Sequence, residues 1–245
     1  MSGTGRDDEP FAPGSRAALV LSVARATTGF MPDDEGLALS RLAREVGSDP
    51  FLPRLVIEIG AYCGRSSLYL AAGLAAAAAA AAAGEAGEAG PERGVVFSVD
   101  HHHGSEENQA GWEHHDASLL DERTGRMDTL GRWRAAVEDA GAGDLVVGVV
   151  GDSPTVASYW STPAGLVFID GGHGALPAWA DYRGWAPKVA EGGYLAIHDV
   201  FPDPNDGGRP PYELYCRALR SGAFAEVEHL GRGSLRVLRR IAPGE

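Results

Sequence analysis

Apolar positions recur at helical spacing over residues 19–26 and 37–46, and Pro32-Asp33-Asp34 supplies a helix-start signal before the second stretch. These features predict an N-terminal helical cap over 16–50. Short continuous apolar runs follow: Leu55-Val56-Ile57-Glu58-Ile59, Val95-Val96-Phe97-Ser98-Val99 ending at Asp100, and the runs 145–150, 166–169 and 194–197. Runs of that length, bounded by turn residues, suit strands buried on both faces. Helical spacing returns over 130–140 and 178–189, and a helix beginning near Ser66-Ser67 is prolonged by an alanine tract. Residues 75–92 read as an Ala/Gly-rich insertion that turns flexible over 84–90. Residues 225–230 and 234–238 flank Gly231-Arg232-Gly233, which predicts a closing antiparallel hairpin. Alternating strands and helices predict an α/β fold with a mostly parallel sheet covered on both faces, binding ligands beyond the carboxyl ends of its strands.

A length of 245 residues suits one domain over 16–245. Residues 1–15 contain Asp7, Asp8, Glu9, Pro10 and Pro13 but no apolar core, so they read as a disordered tail and not as a secretory signal. The excess of 34 acidic over 21 basic residues gives a net charge of -13, which repels phosphate backbones and anionic lipid. Neither a nucleic-acid nor a membrane partner is expected, and alanine is too weakly hydrophobic to make the tract a convincing span. The two cysteines, Cys63 and Cys216, fit neither a disulfide scaffold nor a metal finger. A cytoplasmic location is the plain expectation.

The first strand carries the chemistry-bearing turn Glu58-Ile59-Gly60-Ala61-Tyr62-Cys63-Gly64-Arg65-Ser66. Its glycines allow close backbone approach, and the helix start offers free amide donors. A dinucleotide fingerprint would need Gly-x-Gly-x-x-Gly, and the spacing here differs. The turn resembles motif I of the class I S-adenosylmethionine-dependent methyltransferases, which implies a Rossmann-like class I methyltransferase fold. In that family the turn, here Glu58, Gly60, Gly64 and Ser66, holds the methionine part of S-adenosylmethionine. The resemblance also implies that Asp100 accepts the ribose hydroxyls, that Asp152 and Ser153 contact adenine, and that Asp170 faces the transferred methyl. A turn-forming role for Asp152 before Pro154 is equally open.

Seven of the eight histidines lie between His101 and His198. Phe168-Ile169-Asp170-Gly171-Gly172-His173 and Ile197-His198-Asp199 each end a predicted strand. Neighbouring strand tips lie about 5 Å apart, so Asp170 and Asp199 could converge on an oxygen-loving cation such as Mg²⁺ or Mn²⁺. Such a cation makes an alcohol hydroxyl more acidic and directs it. His173 is then the candidate catalytic base, because imidazole titrates near working pH. His198 is a candidate third metal ligand, with orientation of Asp199 as the alternative. The loop from His101 to Asp116 supports three readings: a sugar pocket using His102, Glu106 and a stacking Trp112, a transition-metal cluster, or a solvated surface. Residues 201–212 read as a loop stiffened by prolines, with Arg209 and Tyr212 as candidate substrate contacts.

The acid-glycine turn, Phe-Ile-Asp-Gly-Gly-His and Ile-His-Asp together resemble the small metal-dependent sugar O-methyltransferases, including those of methylmannose polysaccharide and macrolide sugars. That resemblance makes Asp170 and Asp199 metal ligands and His173 the base, and it implies a small-molecule or oligosaccharide acceptor. It departs from the macrolide-sugar pattern at His198, where an acid would stand. Rival readings are methylation of another small hydroxylated natural product, a nicotinamide-dependent oxidoreductase, and a cofactor-binding protein without chemistry. Oligomeric state is open, a homodimer included.

Overall fold

The computed structural model describes residues 11–84, 93–108, 115–203, 206 and 208–243. Its sheet contains β1 (Leu55–Ile59), β2 (Val95–Asp100), β3 (Val146–Val150), β4 (Ala164–Ile169), β5 (Val189–Ile197), β6 (Phe224–Glu226) and β7 (Arg236–Arg240), in the spatial order β3-β2-β1-β4-β5-β7-β6. The first five strands pair in parallel, while β7 runs antiparallel to both β5 and β6. From β1 the chain winds one way through β2 to β3 and the other way through β4 to β5. The crevice between β1 and β4 is therefore the switch point where open α/β sheets bind ligands.

Helices α1 (Arg16–Ala26), α2 (Asp33–Ser48), α3 (Arg65–Ala82) and α4 (Leu130–Asp139) cover one face, and α5 (Ser153–Tyr159), α6 (Ala175–Trp185) and α7 (Pro210–Arg220) cover the other. Strand alternation divides the core between them. Val56, Val96, Leu166 and Phe168 join the α1–α4 cluster, whereas Ile57, Val99, Val167 and Ile169 join the α5–α7 cluster. Each fully buried side chain of this size contributes roughly 1.5–3 kcal/mol.

Helix α3 packs closely on α2, because a Cβ at Gly73 would overlap the Ser40 carbonyl oxygen and lie 2.9 Å from the Ala43 Cβ. By length and composition α3 could cross a membrane, yet 61% of its apolar window is buried, as in a core helix. The alanine tract continues this helix to Ala82, with Ala75 and Ala77 buried; residues 85–92 of the expected insertion lie outside the described residues.

Several expectations change. The expected tail reaches the described residues at 11–15, where Phe11 is buried and Ser15 accepts a bond from the Ala18 amide to cap α1. The expected hairpin is shorter and offset: β6 ends at Glu226, and a 3-10 turn occupies Glu228–Leu230. The stretch read as helix over 178–189 begins earlier and gives way to a 3-10 turn, with Val189 opening β5. Two helices, α5 and α7, begin in segments read as turn and loop and continue through residues 155–159 and 213–220, for which the sequence suggested no element.

Candidate functional site

The glycine turn is shaped by its neighbours before any ligand arrives. Gly60 adopts φ +86°, and a Cβ there would overlap the Asp170 carbonyl oxygen and lie 2.7 Å from its carbonyl carbon. Only glycine lets the β1 turn sit this near the β4 tip. Gly64, at φ +97°, starts α3 without a side-chain cap, so the first amides of the helix remain donors suited to a carboxylate. Asp100 ties the turn to β2: its Oδ2 accepts the amides of Ala61 and Tyr62, both at 2.9 Å, and its Oδ1 accepts the His102 amide at 2.7 Å. An ionised carboxylate offers about four acceptor sites, so most of the capacity expected to serve ribose already holds the turn in shape.

Glu58 lies beneath this turn, fully buried. It accepts hydrogen bonds from the hydroxyls of Ser67 and Ser98, the latter at 2.6 Å. Burial pushes its carboxyl up to about 7, against the opposing bonds from Ser66, Ser67 and Ser98. Both Glu58 and Ser66, expected as cofactor contacts, thus point into the protein. Asp152 caps α5 by accepting the Thr155 amide at 3.1 Å and its hydroxyl at 2.6 Å, which is the turn-forming alternative. The Ser153 hydroxyl donates to Asp181 at 2.6 Å and accepts from the Trp185 indole at 2.8 Å.

The two strand-end acids converge. Ligand atoms of Asp170, His173 and Asp199 all lie within 4.8 Å of one another, and His173 Nε2 is 2.9 Å from Asp199 Oδ2. All three side chains are partly exposed, and Asp170 and His173 line a small cleft with Ala178 and Asp181 of α6 and Pro211 and Leu214 of α7. Two carboxylate oxygens and one imidazole nitrogen form a donor set suited to a small divalent cation with water completing its shell.

His198 has a different task from the one expected. Its ring is 6% exposed, and Nδ1 donates to Asp170 Oδ1 at 3.0 Å and faces Asp199 Oδ2 at 3.2 Å, while Nε2 donates to Glu35 Oε2 at 2.5 Å. Burial alone would lower its pKa, but the charge of Asp170 and the bonds to Asp170, Asp199 and Glu35 outweigh it and hold the imidazole well above its ordinary value. With both ring nitrogens facing carboxylates, His198 bridges Asp170 and Asp199 to Glu35, and it is His173, in place of the expected His198, that the geometry groups with the two aspartates. Asp199 is held below the usual carboxylate range because its bonds to His173 and His198 overcome burial.

The substrate candidates scatter. His102 is corrected to a core residue: at φ +61° its ring turns inward, 2% exposed, and bonds Thr129 Oγ1 at 2.8 Å. Burial lowers its pKa, so it is a neutral internal partner. Glu106 does approach the site, since its Oε2 lies 3.5 Å from where a Gly174 Cβ would stand, beside the His173 loop. Trp112 lies outside the described residues. Arg209 stacks over the Tyr212 ring at 5.4 Å and reaches Glu213 at 3.6 Å, while the neighbouring Pro211 and Leu214 face the cleft. Sequence reasoning missed Glu35, buried at the start of α2, and Asp181, whose carboxyl burial pushes up to about 6. For Glu35 the available signal was an acid in the first helical turn, which reads as dipole compensation.

Comparison with known proteins bears on the fold that carries these residues. The chain is similar over 96% of its length, and 94% of the other chain, to the O-methyltransferase from Bacillus cereus in complex with SAH, at 17% identity and a TM-score of 0.57. It is similar over 96% and 94% to the O-methyltransferase TomG from Streptomyces achromogenes in complex with SAM, at 14% identity and 0.57. It is also similar over 98% of both chains to the calicheamicin methyltransferase CalS11, at 18% identity and 0.53. At these identities the likeness establishes the Rossmann-like methyltransferase fold. A family model described as a methyltransferase domain matches residues 57–200, more than half of the chain, from within β1 to just past β5, so the protein belongs to that methyltransferase family.

Proposed function

We infer that the protein transfers the methyl group of S-adenosylmethionine to a hydroxyl of a sugar or glycoside, with a divalent cation, Mg²⁺ or Mn²⁺, at the acceptor oxygen. The carrying observation is the convergence of Asp170, His173 and Asp199 within 4.8 Å beside the Gly60 turn. Solved neighbours that hold SAM or SAH and are named O-methyltransferases support the cofactor and the oxygen acceptor. The uncapped start of α3 suits the methionine carboxylate, and Gly60 and Gly64 keep the turn free of side chains. Asp100 contributes by fixing that turn, with its remaining acceptor capacity toward ribose; Asp152 and Ser153 border the adenine end.

Asp170 and Asp199 would hold the cation, which lowers the pKa of a bound hydroxyl. His173 receives the hydroxyl proton as the acceptor oxygen takes the methyl and the sulfonium becomes a thioether. Its bond to Asp199 orients the imidazole in the manner of an acid-base dyad. The 4.8 Å grouping favours a second arrangement in which His173 is itself a ligand and water carries the proton away. Glu106 is the acceptor-loop residue that the geometry brings nearest the His173 loop. The test is incubation with labelled S-adenosylmethionine, Mg²⁺ and a panel of mannose, glucose and macrolide glycosides. Labelled methyl glycoside is the expected product; cofactor binding without transfer to any hydroxylated acceptor would leave only a binding protein.

A further inference from the structure

We propose that Glu35 is a positioning residue for the reacting carboxylates, acting through His198 from the first turn of α2. This inference rests on the proposed cation site and concerns what fixes its geometry. Asp170 and Asp199 are like charges at neighbouring strand ends, and nothing in the parallel pairing of β4 and β5 sets the angle of either carboxylate. The His198 ring sets it, because Nδ1 lies 3.0 Å from Asp170 Oδ1 and 3.2 Å from Asp199 Oδ2. A ring held at one nitrogen can still pivot. Glu35 removes that freedom by taking Nε2 at 2.5 Å.

Glu35 is itself immobilised. Its Oε1 accepts the Ser234 amide at 2.6 Å, the Ser234 hydroxyl lies 3.2 Å from both carboxylate oxygens, and a Cβ at Gly233 would overlap the same carboxylate. The anchor therefore comes from two remote segments, the first turn of α2 and the turn before β7. Both lie outside residues 57–200 of the family match. An outer partner that fixes the orientation of a ligand-bearing group commonly carries about 10–100-fold in metal affinity or activity.

The test compares wild type, Glu35→Gln and Arg232→Ala. Arg232 makes the neighbouring α2 contact through its side chain, Nε to Asp34 Oδ2 at 3.0 Å, and its replacement by alanine keeps the backbone turn that presents Ser234. Three readouts are taken: Mn²⁺ titration by electron paramagnetic resonance without cofactor, kcat and KM for S-adenosylmethionine, and imidazole ¹⁵N–¹H spectra of the unliganded protein. Glu35→Gln should raise the Mn²⁺ Kd about fivefold or more and lower kcat about tenfold, with KM within about twofold. The His198 Nε2–H signal, slow to exchange in wild type, should broaden. Arg232→Ala should match wild type throughout. Wild-type Mn²⁺ affinity and kcat in folded Glu35→Gln, or equal losses in Arg232→Ala, would overturn the proposal, as would a His198 Nε2–H in wild type that exchanges as fast as an exposed histidine. If Glu35→Gln does not fold, Glu35→Asp, a methylene short of Nε2, carries the same expectations at smaller size. Absence of Mn²⁺ binding in wild type would defeat the cation reading instead, and the spectra alone would then decide the role of Glu35.

Discussion

His173 Nε2 and Asp199 Oδ2 stand 2.9 Å apart, joining the loop after β4 to the tip of β5. The same Asp199 oxygen lies 3.2 Å from His198 Nδ1. One carboxylate thus sees two imidazoles with opposite prospects. His198 is buried with both nitrogens committed to acids, whereas the His173 side chain is 22% exposed and opens onto the cleft. Of the two, His173 is the ring that a molecule arriving at the strand tips could reach.

His173→Ala should lower kcat by about 10² or more while S-adenosylmethionine binding, followed by calorimetry, survives. The acidic limb that a histidine base imposes on the pH–rate profile should vanish. Loss of Mn²⁺ affinity in the same variant would assign His173 to the metal; an unchanged kcat and limb would remove it from the chemistry.

Excess chelator should abolish turnover, with recovery on adding Mg²⁺ or Mn²⁺, and Asp170→Asn should reproduce the chelated state. Full turnover in protein of negligible metal content would exclude cation assistance and leave the aspartates as direct polar contacts.

Gly60→Ala should destabilise the fold by about 1–3 kcal/mol, since φ +86° is strained for alanine, and should weaken cofactor binding as the new methyl meets the Asp170 backbone. Chemical denaturation and calorimetry measure the two effects. A variant as stable as wild type would show that the turn relaxes freely.

Asp100→Ala removes the acceptor of three backbone amides, so cofactor affinity should fall by roughly 1–3 kcal/mol and the turn at Ala61 and Tyr62 should gain hydrogen exchange. Unaltered affinity would take Asp100 out of the site.

Glu58 gives a pH dependence of definite sign. Its folded pKa, about 7, lies above its ordinary value of 4.5, so the native state binds the proton more tightly than the unfolded chain. The resulting stabilisation is complete below about pH 4.5 and is lost as pH rises through about 7, on the order of 3 kcal/mol at most. Denaturation midpoints of wild type and Glu58→Gln should diverge across that window, the variant gaining on wild type toward higher pH. Parallel curves would show that Glu58 does not titrate there.

Strand ends were readable because a buried parallel strand is a continuous apolar run, and the first acid beyond it marks the ligand side. Asp100, Asp170 and Asp199 were visible for that reason. Helix α7 was not, because Pro210-Pro211 resembles a loop, although proline is well tolerated in a first helical turn. In His101-His102-His103 the three rings are equivalent as sequence; a positive φ at His102 alone sends one ring into the core. Glu35 was invisible because its meaning depends on a partner 163 positions away, while its local context already explains an acid.

Along the seam between α2 and α3, glycines stand where the two helices approach most nearly, with Gly73 against Ser40, Gly47 against Ala77 and Gly36 against the Tyr69 ring. A larger side chain at any of the three would press α2 away from α3, and Glu35 rides on α2 beside Gly36. Small residues far from the strand tips are thereby coupled, through one helix, to the carboxylate that meets His198.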